Sequence, residues 1–326
     1  MRRGIGIVLV GLGVFLLVLG GLLRFSVVPA VAKAPLSPGE DSGGVTQTDQ
    51  SGVAAKLFDP ATLTERTDVP LTVTRFTRGD VPASQTEEAK AGDLAIYDTF
   101  QRVEDNAGTV VLADTARFAF NRVSSALSNC CGANIDGENV EMSGIVPLKF
   151  PMFTQQQTYP YFDTSLNEGV DAVFQGEETL EGLPVYKFVV TVEPTQTGTI
   201  EVPGDLVGSP LPNFVAPRFY SNVLTLWVEP STGAIVKGES AQLQTLARAG
   251  QPGQDHHHRR GLRHHPRGGD RGIEYAKSQA ALLSLLNNTV PLIAVIAGLV
   301  LLVIGIILVA SGGKRRSGAH AGGSPA

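Results

Sequence analysis

Two long apolar runs, one near each end of the chain, constrain the fold most strongly. Ile5 to Leu23 is an unbroken apolar run of about 19 residues, and Val290 to Ala310 is a second of about 21. At 1.5 Å of helical rise per residue, the first spans roughly 28 Å, close to the hydrocarbon thickness of a bilayer. Neither run shows the polar positions at helical spacing that mark a buried core helix. The pattern predicts two transmembrane helices and the lipid bilayer as a partner.

Basic residues on the terminal sides of both runs predict the orientation. Arg2 and Arg3 precede the first run, and Lys314-Arg315-Arg316 follows the second. The positive-inside rule then predicts a two-pass protein of the cell membrane, with both termini in the cytoplasm and the central domain outside. Ala30-Val31-Ala32 matches a signal-peptidase pattern. The first run exceeds the length of about 7–15 residues usual for a cleaved signal, so an uncleaved anchor is favoured, and cleavage after Ala32 stays open.

Charge is distributed unevenly along the chain. Five of the 26 basic residues lie outside the central region and none of the 31 acidic residues does, which leaves 21 bases against 31 acids and a formal net charge of −10 there. An acidic surface repels phosphate backbones, so we expect no nucleic-acid partner.

The central region shows the alternation and turn signals of antiparallel strands. Leu71 to Phe76 alternates and is rich in β-branched residues. The predicted strand pairs are Leu94 to Val103 with Thr109 to Asn121, Ala172 to Leu180 with Val185 to Val192, and Val223 to Val228 with Ala234 to Glu239. Their turns are Glu104 to Gly108, Glu181 to Pro184 and Glu229 to Gly233. The predicted fold class is therefore a mainly β (or α+β) extracytoplasmic domain with a curved antiparallel sheet, flanked by one N-terminal and one C-terminal transmembrane helix.

These signals divide the chain into six predicted segments. They are an N-terminal tip and membrane helix (1–24), a juxtamembrane linker (25–56), the β-rich domain (57–272), a juxtamembrane helix (273–289), the second membrane helix (290–310) and a cytoplasmic tail (311–326). Asn288 or Thr289 is predicted to cap the second membrane helix. Val202 to Pro217 holds four prolines and two glycines, which predicts a surface loop or a break between subdomains. The predicted core aromatics are Phe118, Phe120, Phe150, Phe153, Tyr159, Tyr161, Phe162, Phe174, Tyr186, Phe188 and Trp227.

A stretch rich in histidine and arginine interrupts the β pattern at 247–272. Five of the six histidines fall within His256 to His265. Clustered imidazoles favour a metal site, but this composition provides no fixed ligand geometry, and a polar loop is the simpler alternative. A third hypothesis is a pair of compensating frameshifts, because shifting one codon choice by a base converts His256 to Gly269 into a Thr-rich strand followed by a helix start. We favour the frameshift hypothesis and predict no metal ligand and no cofactor.

The two cysteines are adjacent, at Cys130 and Cys131, and are followed by Gly132. On the oxidising side of a membrane such a pair favours a disulfide between neighbours that makes a rigid turn, which Gly132 leaves at an unusual φ. Intermolecular disulfides and free thiols remain alternatives. The pair is predicted to be structural, and whether it also forms part of a binding site stays open.

No motif supports an enzyme. The sequence has no phosphate-binding loop, dinucleotide fingerprint, zinc-ligand spacing or G-x-S-x-G elbow. Arg78-Gly79-Asp80 matches an integrin-type tripeptide and fits equally well as a turn that ends a strand. We therefore predict a protein that is not an enzyme, with no catalytic residue.

Four segments together resemble a known family: Cys130-Cys131-Gly132, Thr158 to Asp163, Gly182 to Phe188 and Leu226 to Gly233. The chain resembles the actinobacterial membrane proteins of the porin PorA family across nearly its whole length. It departs at Ala247 to Gly272, where relatives look like ordinary Thr-rich strand sequence. The resemblance implies an actinobacterial cell envelope and pore formation.

Three functions follow as expectations. The first is a non-catalytic envelope protein whose β-rich domain binds or handles a lipid or another envelope component. The second is an oligomeric pore, although a pore lined by these helices would lack polar side chains. The third is a structural scaffold for envelope partners. Gly6, Gly11 and Gly13, together with Ala294 and Gly298, favour helix pairing, and a homo-oligomer is expected for the pore.

Overall fold

The computed structural model describes residues 2–38, 45–50, 55–59, 64–247, 262–263 and 270–311. The helices in these ranges are α1 (Arg2–Leu22), α2 (Val28–Val31), α3 (Val81–Ser84), α4 (Glu87–Ala91), α5 (Asp270–Ser284) and α6 (Val290–Ser311). Two π-helical turns (Leu23–Val27 and Leu285–Thr289) and a 3₁₀ turn (Gly204–Val207) accompany them. The strands are β1 (Val45–Gln50), β2 (Ala55–Asp59), β3 (Thr64–Val69), β4 (Leu71–Gly79), β5 (Leu94–Asp105), β6 (Val110–Asn121), β7 (Leu127–Ser128), β8 (Asn134–Ile135), β9 (Tyr159–Asp163), β10 (Glu168–Leu180), β11 (Leu183–Pro203), β12 (Asn213–Glu229), β13 (Ala234–Leu246) and β14 (Leu262–Arg263).

The described residues form two compact units. The first unit, called the helix pair below, comprises the described residues within Met1–Ala32 and Ala281–Ala326. The second, called the β domain, comprises those within Lys33–Ala280. The predicted fold class is confirmed, because antiparallel sheets occupy the central region and an apolar helix lies near each end. Both terminal helices are long and apolar enough to cross a membrane.

Close backbone contact between two helices defines the helix pair. Gly6, Gly13 and Gly20 recur every seven residues on α1 and are buried. A Cβ added to Gly13 would lie 2.7 Å from the Gly298 carbonyl oxygen, and one added to Gly6 would lie 2.9 Å from the Gly305 carbonyl oxygen. The missing side chains let α1 and α6 pack almost backbone to backbone, as small residues do in membrane helix pairs.

The first sheet of the β domain has the strand order β1-β4-β5-β6-β7, with β8 also paired to β6. Strands β5 and β6 form the hairpin that the sequence predicts, with Leu94 opposite Asn121 and Val103 opposite Leu112. Its turn is fixed by Asp105, whose Oδ1 accepts hydrogen bonds from the backbone N–H groups of Ala107 (2.9 Å) and Thr109 (2.8 Å). Strands β2 and β3 form a separate two-stranded ladder.

The second sheet has the order β14-β13-β12-β11-β10-β9. Both hairpins predicted here are confirmed, as β10 pairs with β11 and β12 pairs with β13. The buried Glu229 carboxylate accepts hydrogen bonds from the backbone N–H groups of Ser231 and Thr232, both at 2.8 Å, which shapes the β12–β13 turn. A carboxylate that accepts backbone donors in this way stabilises a tight turn.

Of the two alternatives for Val202 to Pro217, the subdomain break is wrong, whereas a short loop is present at 204–212 between β11 and β12. The ends of the segment belong to the paired strands, with Val202 opposite Phe214. Pro203 ends β11, and Pro217 lies within β12 opposite Thr199, next to the register shift between Gln196 and Gly198. Proline is tolerated at strand ends and ladder irregularities, so its abundance did not mark a break.

Two other boundaries differ from the sequence analysis. The N-terminal helical segment continues through the π-helical turn to Val31, and β1 begins at Val45, so both enter the stretch predicted as a linker. Asn288 and Thr289 lie inside the second π-helical turn, and the residues on both sides of that turn, Ser284 and Val290, are also helical. The helix is therefore continuous here and has no N-terminus for either residue to cap. The prediction that Asn288 or Thr289 caps the second membrane helix is therefore wrong. The predicted juxtamembrane helix is present as α5.

The segment between β8 and β9 joins the two sheets. Ile145 forms bridges with Ala126, beside the first sheet, and with Tyr161 in the second. Gly144 permits this approach: its φ is +86°, and a Cβ there would overlap the Pro160 carbonyl oxygen. The inner face of the second sheet, around Phe188, is consequently covered by the chain itself.

Most of the predicted aromatic core is buried. The buried members are Phe118, Phe120, Phe150, Tyr159, Tyr161, Phe162, Phe188 and Trp227, and the half-buried members are Phe153, Phe174 and Tyr186. Phe150 packs against Phe188 with ring centroids 4.6 Å apart and meets the Tyr159 ring edge-on at 5.5 Å. Such pairs add to the stabilisation that comes from buried area. On the outer face, Ile273 and Ala276 of α5 cover Trp227.

Candidate functional site

The adjacent cysteines form the turn that follows β7. Cys130 and Cys131 are joined by a disulfide, with their Cα atoms 3.8 Å apart. Cys131 has a φ of +58° and Gly132 a φ of +77°, so the chain does leave the turn in the left-handed region. The Ala133 N–H donates to the Cys130 carbonyl oxygen at 2.9 Å and closes the turn.

Arg117 of β6 ties this turn to the first sheet. Its Nε donates to the Cys131 carbonyl oxygen at 3.1 Å, while Nη1 donates to Asp98 at 2.7 Å and Nη2 to Asp80 at 2.6 Å. Three contacts of one guanidinium group fix the position of the disulfide relative to β4 and β5. Sequence reasoning missed Arg117, because its three partners are far from it in the chain.

Asp80 has a structural role in this arrangement. Its Oδ1 accepts a hydrogen bond from the Ala83 N–H at 2.9 Å and caps α3. The Ala83 hydrogen bond, followed by the hydrogen bond from Arg117, lowers the pKa of Asp80 below its usual value. The Arg78-Gly79-Asp80 tripeptide thus ends β4 and begins α3, and its carboxylate is engaged within the domain.

The disulfide packs against apolar side chains on one side. Both cysteines are half-buried against Ala89, Leu94 and Ile96. Ala89 belongs to α4 and is fully buried, so this short helix lies directly beside the disulfide. The pair therefore has one face in the core and one face open to solvent.

A serine and a lysine form a second polar cluster, between the two sheets. The Lys149 ammonium donates to Ser125 Oγ at 2.9 Å and to the Phe150 carbonyl oxygen at 2.6 Å. Burial lowers the pKa of Lys149 to about 7. A serine beside a lysine of low pKa is the chemistry of some hydrolases, but Ser125 is completely buried. We infer that the cluster joins the two sheets, because a catalytic serine must be accessible to its substrate.

The β domain also contains two acids with raised pKa values, the half-buried Asp114 and the buried Asp163. Burial, reinforced by the nearby Asp136 charge, raises the pKa of Asp114 to about 6. Burial raises the pKa of Asp163, whose Oδ2 accepts a hydrogen bond from the Tyr220 hydroxyl at 2.9 Å. Gln101 donates a hydrogen bond to Asp114 and Tyr220 donates one to Asp163, so these contacts give each carboxylate a structural role.

The histidine-rich stretch lies almost wholly outside the described residues. Within 247–272, the residues described before α5 begins are Ala247, Leu262 and Arg263, and the last two form β14 beside Ala241 and Gln242 of β13. The metal, loop and frameshift hypotheses for His256 to His265 therefore stay predictions.

Comparison with known proteins decides the family. The porin PorA family model matches residues 5–307, which include most of both apolar helices and the range of the β domain between them. This chain belongs to the porin PorA family. The resemblance inferred from the Cys-Cys-Gly turn and the strand motifs is thereby confirmed.

Two relatives in Corynebacterium support the assignment. Porin PorA of Corynebacterium resistens is 24% identical across 78% of this chain and 79% of that relative. Porin PorA of Corynebacterium amycolatum is 29% identical over 129 residues, which cover 32% of this chain and 33% of that relative. The second match thus spans a third of its relative, and the family description suggests a protein that is not an enzyme.

Proposed function

We propose that this member of the porin PorA family is a membrane-anchored envelope protein in which the helix pair acts as an anchor and the β domain, held outside the cytoplasm, binds an envelope component without catalysis. The observation that carries the proposal is the close approach of α1 to α6 at Gly13 and Gly298. Two helices in such contact leave no room for water between them.

The composition of the helices supports the anchor role. Neither Ile5 to Leu23 nor Val290 to Ala310 contains a charged or hydrogen-bonding side chain. The faces of α1 and α6 that point away from each other carry exposed apolar residues such as Phe15 and Leu299. Apolar faces of this kind suit contact with lipid, whereas an aqueous path requires polar side chains or a polar lumen.

Lipid is the ligand class that we propose for the β domain. An anchored domain lies beside the membrane, and lipids are the most abundant molecules there. The inner face of the second sheet is filled by Ile145 and Phe150, so an acyl chain would bind there only if the segment between β8 and β9 moved away. Binding at the domain surface requires no such movement.

An oligomeric pore is the second candidate, and the family description and the names of both relatives favour it. Because α1 and α6 of one copy are in contact, a pore needs several copies that surround a common axis. This arrangement would place apolar helix faces toward water, unless the β domains line the path.

Native mass spectrometry of the detergent-extracted protein tests these two functions. A reproducible added mass equal to that of a lipid, on a monomer or dimer, supports the lipid-binding proposal. A bare homo-oligomer of fixed stoichiometry contradicts it and favours the pore. A stable complex with another envelope protein, without lipid, indicates the scaffold instead.

A further inference from the structure

A carboxylate lies beside the adjacent cysteines. Among the described residues, a carboxylate oxygen of Glu88 and the Sγ atoms of Cys130 and Cys131 all lie within 4.8 Å of one another. The two sulfurs are half-buried and Glu88 is exposed, so solvent reaches this side of the turn. Two thiolates and a carboxylate form a donor set that suits zinc and other thiophilic cations.

The three groups are held in place by contacts that do not involve the S–S bond. The Ala133 N–H closes the turn on the Cys130 carbonyl oxygen at 2.9 Å, and Arg117 holds the Cys131 carbonyl oxygen at 3.1 Å. Glu88 is in α4, which is capped by the Thr86 hydroxyl. The hydrogen bonds of the turn do not depend on the S–S bond, and Ala89 of α4 packs in the same apolar cluster as both cysteines.

We propose that reduction of the Cys130–Cys131 disulfide converts this turn into a binding site for one thiophilic divalent cation, with Cys130, Cys131 and Glu88 as ligands. An external dithiol supplies two electrons and two protons, the S–S bond breaks to give two thiols, and the dithiol is oxidised to its own disulfide. Metal binding then displaces both thiol protons, because the thiolate is the ligand. Three protein ligands leave a fourth position for water.

The charge of the site explains why both redox states can exist. In the oxidised state the sulfurs carry no charge, and Glu88 is a single exposed carboxylate. In the reduced, metal-free state the sulfurs are neutral thiols, and two thiolates beside that carboxylate would repel one another unless a divalent cation offset the repulsion. The cation therefore stabilises the reduced turn relative to the oxidised one.

Titration with Cd²⁺ tests the proposal on the full-length protein in detergent. The protein is reduced with a trialkylphosphine, the reductant is removed without air, and the ultraviolet charge-transfer absorption of the Cd²⁺–thiolate bond is followed. This signal requires sulfur, so cation bound by the histidine-rich stretch does not contribute to it. We expect one equivalent bound by the reduced protein and no signal from the oxidised protein.

Variants separate the three ligands. Cys130→Ser and Cys131→Ser each remove one thiolate, so we expect each to abolish stoichiometric binding. Glu88→Gln is expected to weaken binding about 10-fold or more, in the range seen when groups that support a metal site are removed. Glu87→Gln is the matched control, because Glu87 is an exposed neighbour on the same helix and lies outside the cluster.

The outcomes decide the proposal. Absence of a thiolate signal from the reduced wild-type protein, with its near-ultraviolet circular dichroism unchanged, would overturn it. Equal Cd²⁺ affinity of Glu88→Gln and Glu87→Gln would also contradict it, because the carboxylate would then have no part in the site. The proposal would be established if the reduced wild-type protein and Glu87→Gln each bind one equivalent of Cd²⁺, Glu88→Gln binds it more weakly, and the two cysteine variants do not bind it stoichiometrically.

Discussion

In the helix pair, α1 and α6 meet where side chains are absent, whereas the sheets of the β domain are joined where large side chains fill the space. Gly13 and Gly298 bring two backbones into contact, while Phe150 and Phe188 stack between the second sheet and its covering segment. The helix pair is held by van der Waals packing of backbones, because lipid provides no hydrophobic drive between helices. The β domain is held by burial of apolar side chains from water.

Polar groups divide the two regions in the same way. The apolar runs of the helix pair contain no titratable side chain, whereas the β domain holds the buried Asp163 and the half-buried Lys149 and Asp114. Changes of pH, redox state or ligand should therefore act on the β domain, while steric changes should act on the helix pair.

The largest effect is expected from Gly13→Leu. A side chain there collides with the Gly298 carbonyl oxygen, which would be only 2.7 Å from the new Cβ, so the helices must separate. Spin labels attached through Val8→Cys and Ile304→Cys would report a longer distance between the helices. Gly11→Leu is the control, since a Cβ at Gly11 meets no atom within 4 Å. Equal distances in both variants would refute the glycine contact.

The next effect is expected in the β domain, from Gly233→Ala. Gly233 has a φ of +71°, and a Cβ there would overlap the Phe150 carbonyl oxygen. The control is Gly182→Ala, where φ is +82° but no atom lies within 4 Å. Both variants carry the left-handed penalty of about 1–2 kcal/mol. Only Gly233→Ala adds the overlap, so its unfolding free energy should fall by about 2 kcal/mol more.

Chemical denaturation measures this difference, with the fluorescence of Trp227 as the probe, because the chain has a single tryptophan. Equal losses in the two glycine variants would show that the segment between β8 and β9 does not press against the β12–β13 turn.

The stability of the β domain should rise with pH because of Lys149. The folded pKa of Lys149 is lowered to about 7 by burial, against an unfolded value near 10.4, so between these values the unfolded chain binds more protons than the folded one. Unfolding free energy therefore increases from about pH 7 toward about pH 10. In Lys149→Met this increase should be much smaller, as measured by denaturation at several pH values.

The helix pair and the β domain should respond differently to this change of pH. The spacing of the helix pair should not change over the same range of pH, because its apolar runs hold no group that titrates there. If the unfolding free energy of the wild-type β domain stays constant over this range of pH, the pKa of Lys149 does not differ between the folded and the unfolded protein.

The smallest effect is expected from Lys237→Gln. The Lys237 ammonium lies 4.3 Å from the centroid of the Trp227 ring, and such a contact contributes about 0.5–1 kcal/mol. The variant should lose that amount of unfolding free energy and shift the Trp227 emission. Lys277→Gln is the control, as Lys277 forms an ion pair with Glu274 of the same helix, 2.7 Å away. Equal unfolding free energies of the two variants would show that the contact between Lys237 and Trp227 does not stabilise the fold.

Local patterns predicted much of this fold. The hairpins around Gly108, Gly182 and Gly233 followed from alternation next to turn residues, and both apolar helices followed from length and composition. The Cys130–Cys131 turn was also predicted, because both of its residues and the glycine that follows are neighbours in the chain. Such features are encoded within a few residues of one another.

Contacts between distant residues were not predictable in this way. Arg117 reaches Asp80 across 37 positions, and Lys149 reaches Ser125 across 24. The glycine contacts of the helix pair were predicted in part: Gly6, Gly13 and Gly298 lie at the contact, whereas Gly11 meets no atom within 4 Å. Helices that are apolar all round show no periodicity to mark the contact face, so Gly20 and Gly305 were missed. Val202 to Pro217 misled because its prolines suit both a loop and the ends of paired strands.

Conductance of the purified protein in planar bilayers tests the central claim, that the helix pair anchors the protein and does not conduct. A general porin reconstituted in the same way serves as the positive control, and the Gly13→Leu and Gly11→Leu variants are recorded alongside. The account predicts no discrete current steps from the wild-type protein. Reproducible steps that change in Gly13→Leu but not in Gly11→Leu would contradict it and place the pore in the helices.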